Sequence, residues 1–262
     1  MPDGQIPPRQ PVNLADYTAP TFSVEEVTLD LDLTPAATSV KARLHLRRQA
    51  PGPLVLDGRA LELRALRLNG EPLGDNHYTL TDSTLTIPET PDVFTLETEV
   101  VICPEKNTEL SGLYMSGTGF FTQCEPEGFR RITYFPDRPD VMARYTVTLR
   151  ADKAKYPVLL SNGNKIAEGK EGARHFATWS DPHPKPSYLF ALVAADLVSV
   201  KDSFTTASGR EVALGIWVAK GDETRCAHAM YALKNSMKWD EETFGLEYDL
   251  DIFNIAAVSD FN

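Results

Sequence analysis

Apolar residues at every second position limit the fold of this chain more than any other feature. Val27, Leu29, Leu31 and Leu33, then Val40, Ala42, Leu44 and Leu46, alternate with polar residues. A period of two turns one side of each segment to a core and the other to water, which a helix cannot do. Further short runs follow at Leu54–Leu56, Leu61–Leu68, Thr84–Ile87 and Phe94–Ile102. Between them lie Pro51-Gly52, Asp57-Gly58, Asn69-Gly70 and Asp75-Asn76, dipeptides suited to turns. Short alternating strands punctuated in this way predict a sandwich or an open, barrel-like sheet. The pattern continues through Tyr145–Leu149, Val158–Leu160, His175–Trp179 and Tyr188–Val193, with a turn at Ser161-Asn162-Gly163-Asn164. No internal repeat interrupts it. At 262 residues and 42% hydrophobic, the chain can fill one large β domain and part of a second.

The texture changes after Asp196. Val200–Thr206 and Glu211–Val218 read as a hairpin joined by Ala207-Ser208-Gly209-Arg210. A helix follows, with Asp222 as its N-cap and Cys226, Ala229, Met230, Leu233 and Met237 as its apolar stripe. Gly245 stands where a C-terminal cap is expected. The closing "YDLDIFNIAAVSDFN" reads as a strand heading into a core. We therefore expect a mainly β protein in two parts, residues 1–196 and residues 197–262. The second part has the pattern of an α+β domain of which only the opening is present. Residues 1–20 read as an arm on the surface.

Charge and cysteine usage narrow the function. The balance of 26 basic and 37 acidic residues gives −11, which offers no attraction for nucleic acid or an anionic membrane. No apolar run approaches the roughly 20 residues of a membrane span, and the polar, proline-rich start has no apolar signal core. Cys103, Cys124 and Cys226 are widely spaced and odd in number, as expected of reduced thiols in a cytoplasmic protein. They have no zinc-ligand spacing. The histidines are scattered, and the H-E-x-x-H helix of a metallopeptidase is absent, as are a G-x-S-x-G elbow and a phosphate-binding loop. His228 lies on the predicted helix with Ala232 at i+4, so it reads as an ordinary surface or core residue. Gly117-Thr118-Gly119 reads as a loop. Cys124 reads as a half-buried strand thiol, since no histidine lies near it to activate it.

One stretch stands apart, "FTQCEPEGFRRITYFPDRPD" at Phe121–Asp140. Polar groups at this density on a sheet must be exposed or paired. Two readings fit. Glu125 and Glu127 pair with Arg130 and Arg131 at a sheet edge, or a carboxylate is presented into a cleft to hold a cationic ligand such as an ammonium group.

Four segments carry a resemblance: "FTQCEPEGFRRITYFPDRPDVMARYTVTL", "KYPVLLSNGNKIAEG", "PKPSYLFALVAADL" and "LKNSMKWDEETFGLEYDLDIFNIAAVSDFN". Together they resemble the bacterial aminopeptidase N family of gluzincin zinc peptidases, near-continuously from about Leu110 onward. The resemblance implies a large N-terminal β saddle followed by the start of a thermolysin-like catalytic domain. It implies a cytoplasmic enzyme, monomeric at full length, that uses one zinc ion to remove N-terminal residues from peptides with a free amine. The G-A-M-E-N strand, the zinc ligands and the general base of the family find no match here, so the segment alone is expected to be inactive. Gln123 and Glu125 match the family's substrate-binding positions, where the glutamate takes the α-amine. Glu127, Arg130 and Arg131 then form their supporting shell. A charged Glu125 favours the aminopeptidases over the leukotriene hydrolase branch, which has Gln-Cys-Gln at this point. The resemblance also implies a cis Glu125–Pro126 bond. A different kind of protein, a non-catalytic binding or scaffold module that kept the saddle without the metal, is the alternative. A secreted β-sandwich adhesin fits poorly with the absence of a signal core and of paired cysteines.

Overall fold

A computed structural model describes residues 13–258. In chain order the first strands are β1 (Phe22–Asp32), β2 (Thr38–Arg48), β3 (Leu54–Asp57), β4 (Glu62–Leu68), β5 (Glu71–Pro72) and β6 (Thr79–Leu80). Next come β7 (Thr84–Ile87), β8 (Val93–Ile102), β9 (Gly112–Ser116), β10 (Gly119–Gln123), β11 (Met142–Asp152) and β12 (Val158–Ser161). The remainder are β13 (Asn164–Glu171), β14 (Arg174–Pro186), β15 (Leu192–Ala195), β16 (Val198–Thr205), β17 (Glu211–Val218), the helix α1 (Ala227–Phe244) and β18 (Ile252–Ala256). The protein is mainly β, as its alternation predicts.

An eight-stranded sheet in the order β13-β14-β11-β1-β2-β8-β4-β5 forms the saddle. Its pairings are antiparallel except where β1 lies parallel to β11, Leu29 opposite Val147. The inner face presents Leu29, Leu44, Leu96 and Val147, all buried, to the two smaller sheets. Those are β3-β7-β6 and β12-β15-β10-β9. The outer face carries the alternating polar residues, tied by ion pairs such as Arg47–Glu25 at 2.8 Å and Arg150–Asp30 at 3.0 Å. One side buried and one side wet is what period two requires. The lone break in β1, the consecutive Glu25 and Glu26, is a register shift between Val24 and Glu26, after which the period resumes at Val27.

A second, smaller core lies along β16, β17, β18 and α1. Val212, Leu214, Ile216 and Val218 of β17 pack against Cys226, Met230, Leu233 and Met237. The β17-α1-β18 path joins parallel strands through a helix, the usual way to make such a crossover. Gly245 ends α1 at φ +66, its N–H donating to the Glu241 carbonyl at 3.0 Å. Two expectations about this helix need correction. Asp222 precedes a 3-10 turn at Glu223–Arg225 instead of capping α1, and Cys226 occupies the position before Ala227. Ala229 is exposed, because the buried stripe runs through Met230 and its i+3 and i+7 neighbours.

Elsewhere two readings change, and the loop expected at Gly117-Thr118-Gly119 is found as a turn. The expected strand at Tyr188–Val193 begins as a 3-10 turn, Ser187–Leu189, and only Leu192–Ala195 pairs. Gly117 and Thr118 form the tight turn of the β9–β10 hairpin. β13 was not anticipated. Of the expected arm, residues 13–20 lie against the Pro-Asp-Arg-Pro-Asp loop: Tyr17 Oη donates to Asp140 at 3.1 Å and Arg138 to the Thr18 carbonyl at 2.8 Å. The rest of the arm lies outside the described residues.

β18 pairs only with β17 among the described residues, and each of its residues is half-buried. Amide exchange in the 262-residue chain is therefore expected to be faster at Ile252–Ala256 than at Val27–Leu31, which sits between two strands. Equal protection of the two segments in a hydrogen-exchange experiment would contradict this ranking.

Candidate functional site

The polar stretch follows β10 and its shape is set by glycine. Gly112 opens β9 opposite Gln123, at φ +75. Gly128 lies so close beneath that a Cβ on it would fall 2.3 Å from the Gln123 carbonyl oxygen and 2.9 Å from the Cys124 Cα. Its N–H donates to the Cys124 carbonyl at 2.7 Å, closing residues 124–128 into a tight turn. The Glu125–Pro126 peptide inside that turn is cis, in line with the resemblance.

Behind the turn sits Asp137, buried. Its Oδ2 accepts from the Arg130 backbone N–H at 3.1 Å and from Arg130 Nε at 3.0 Å, and its Oδ1 accepts from the Ser187 hydroxyl. Its own N–H donates to Asp57 Oδ2 at 3.1 Å, and Asp57 also exchanges two backbone hydrogen bonds with Phe135. Desolvation works against the charge on Arg130. The Asp137 hydrogen bond, with the Asp57, Asp137 and Glu127 carboxylates, outweighs it and holds its pKa above the ordinary value. Below this lies an edge-to-face group of rings, Phe129 with Phe135, Tyr145 and Phe190 at centroid distances of 5.1, 6.0 and 5.2 Å. Loop, network and rings act as one plug.

The carboxylates above the plug have different fates. Glu127 pairs with Arg130 at 3.5 Å, as the edge-pairing reading expects. Arg131 turns away and donates to Glu109 at 2.9 Å instead. Glu125 is exposed, and its carboxylate has no hydrogen bond or ion pair among the described residues. Gln123, half-buried, donates through Nε2 to the Glu125 carbonyl at 3.1 Å. The structure thus places the two predicted site residues side by side, with one free carboxylate between them. Cys124 is fully buried instead of half-buried, and burial first, then the Asp137 charge, pushes its thiol pKa up. A thiol kept protonated in this way is not a nucleophile.

Sequence reasoning missed Asp137, Asp57 and Ser187, which hold the loop. The one signal available was the Pro-Asp-Arg-Pro-Asp run itself, whose first aspartate lacks an exposed role. A hollow of about 380 Å³ lies between β10, β12, β15 and residues 248–258, lined by Phe121, Thr122, Asp181, Tyr248 and Phe253 among others. It does not contain Gln123 or Glu125. Its carboxylate, Asp181, is already bound to the buried Lys185 ammonium at 2.7 Å, so the hollow offers no open anion. Among the described residues no three His, Cys, Asp or Glu side chains gather closely enough to hold a metal ion. No helix among them is long and apolar enough to cross a membrane.

The fold is a β saddle with a polar plug on one hairpin, followed by a small sheet-and-helix unit. Residues 23–189 match the Peptidase M1 N-terminal domain, and the chain belongs to that family. Aminopeptidase N of Caulobacter vibrioides is 56% identical over 97% of this chain. Legionella pneumophila aminopeptidase A, solved with aspartic acid, shares the fold at a TM-score of 0.89 with 38% identity over 95% of the chain. An M1 zinc metallopeptidase of Deinococcus radiodurans, solved with a Tyr-Ser-Ala substrate, is similar in fold alone, at TM-score 0.76 and 17% identity over 90% of the chain and 56% of that protein. The chain spans about 30% of the length of the first two relatives.

Because backbone atoms surround Gly128 on three sides, Gly128→Ala is expected to cost about 1–3 kcal/mol of stability in urea denaturation, the range for an overpacked site. It should also shift the amide resonances of Gln123 and Glu125. An unperturbed melt would show that the turn yields freely.

Proposed function

We propose that this chain is the N-terminal portion of a zinc-dependent aminopeptidase that removes residues from the N-termini of peptides. Its contribution is to recognise the substrate's free α-amine through Glu125 and Gln123. One observation carries the reading: an exposed carboxylate without a partner, held on a turn that Gly128 and Asp137 fix from below. Such a group is a docking point for an ammonium, since a charge-assisted hydrogen bond is about twice as strong as a neutral one. Gln123 spends its amide nitrogen on the Glu125 carbonyl, leaving its amide oxygen as a second acceptor. Fixing the amine fixes the distance to the first peptide bond, so that bond alone reaches the reacting centre.

The names of the similar proteins support this reading, as does the family to which the chain belongs. In it, residues 1–196 are the saddle domain and residues 197–262 the first part of a thermolysin-like catalytic domain. Gln123 lies on the hairpin against which the end of that part packs, with Val258 on Tyr114 and Phe121. The described residues do not fit a zinc site, and in this reading the metal's ligands lie in the rest of the enzyme. The free thiols Cys103, Cys124 and Cys226 support a cytoplasmic location.

In the full-length enzyme, Glu125→Gln is expected to reduce kcat/KM on free-amine dipeptides by about 30- to 1,000-fold, roughly 2–4 kcal/mol, the scale for losing one charge partner. Unchanged specificity constants would remove Glu125 from the site. The 262-residue chain alone is expected to bind no stoichiometric zinc and to hydrolyse no aminoacyl anilide. Elemental analysis and a co-purification assay check both, and one zinc per chain with activity in the same peak would overturn the assignment.

A further inference from the structure

A second cavity, of about 170 Å³, lies under the Pro104–Lys106 turn on the far side of Arg131. Ala60, Ile102 and Leu113 form apolar walls, and Lys106, Asn107 and Arg131 supply polar ones. The volume exceeds the roughly 30 Å³ share of a single water several times over.

The Arg131 side chain is 10% exposed. Its Nη1 is engaged by Glu109 at 2.9 Å, while its Nε is buried with no hydrogen-bond partner. What remains open is the side edge of the guanidinium, Nε with Nη2, one of the edges that takes a carboxylate through two parallel N–H···O bonds. The charge count points the same way. Arg59 approaches the same Glu109 carboxylate at 3.7 Å, and Lys106 forms no ion pair among the described residues. Two arginines thus share one carboxylate and a lysine beside them has none, in a chain whose overall charge is −11. A water could satisfy Nε but would leave the excess charge. Asn107 cannot serve as a further donor, because its amide nitrogen is spent on the Ser111 and Leu113 carbonyls at 2.8 and 2.9 Å.

We propose that this cavity binds a small aliphatic monocarboxylate, its oxygens on the Arg131 side edge and Lys106, its carbon chain against Ala60, Ile102 and Leu113. Nε is sealed from solvent, so the exposed Lys106 side chain moves aside for entry and closes over the bound anion. Arg131 belongs to the same 3-10 turn as Arg130 and packs beside Gly112, the partner of Gln123. Occupancy therefore braces the base of the plug from behind.

The test is thermal melting of the full-length protein in sodium propionate against sodium chloride at equal ionic strength. The expected result is a propionate-specific rise in melting temperature that grows with the logarithm of concentration. It should shrink in Lys106→Gln, an exposed substitution that leaves the fold intact, vanish in Arg131→Gln, and persist in Lys153→Gln, an exposed lysine on another loop. No propionate-specific rise, or a rise of full size in Lys106→Gln, would overturn the proposal. So would a rise with inorganic phosphate but not with propionate, which would assign the cavity to tetrahedral anions.

Discussion

A single buried carboxylate, Asp137, holds the polar loop after β10 to the rest of the saddle. It accepts from the Arg130 backbone, the Arg130 side chain and Ser187, while its amide reaches Asp57. These groups come from three separate parts of the saddle, so one residue ties the loop after β10 to β3 and to the segment between β14 and β15. An ionised group in such a place is tolerable only because its lone pairs are spoken for and a guanidinium lies beside it. With Asp137 fixed, Arg130 is fixed, and the turn above it can hold Glu125 out without that residue needing a partner of its own.

Much of the saddle was legible, and the reason is physical. Strands such as β1, β2, β8 and β11 have one dry face and one wet face, and alternation records that directly. The β9–β10 hairpin was not legible because Gly112–Tyr114 and Gly119–Thr122 are buried on both faces, which erases the period. β13 escaped for the opposite reason, being exposed along nearly its whole length. Asp222 misled as a helix cap because a 3-10 turn intervenes before Ala227, and local propensity does not distinguish the two starts.

At the candidate site, composition flagged the right stretch but could not assign partners. The group that takes Arg131 is Glu109, 22 residues earlier, and those that hold Asp137 are Asp57 and Ser187, 80 and 50 residues away. Only the pairing of sheets brings these together. The local pairing the sequence made plausible, Glu127 with Arg130, did form. Glu125, two residues before Glu127 on the same turn, was left out of it, and that difference is what the proposed amine-binding role rests on.

The placement of the three thiols gives the molecule a built-in set of clocks. Cys103 is half-buried beside the Pro104 turn, Cys124 is sealed under the plug, and Cys226 is sealed at the start of the helix in the second core. A thiolate-seeking reagent can meet each one only as fast as its own surroundings open. Labelling followed by mass spectrometry would thus time three regions at once: the turn, the plug and the small core. The order in which the masses appear would rank how firmly each region is closed, with no residue changed to obtain it.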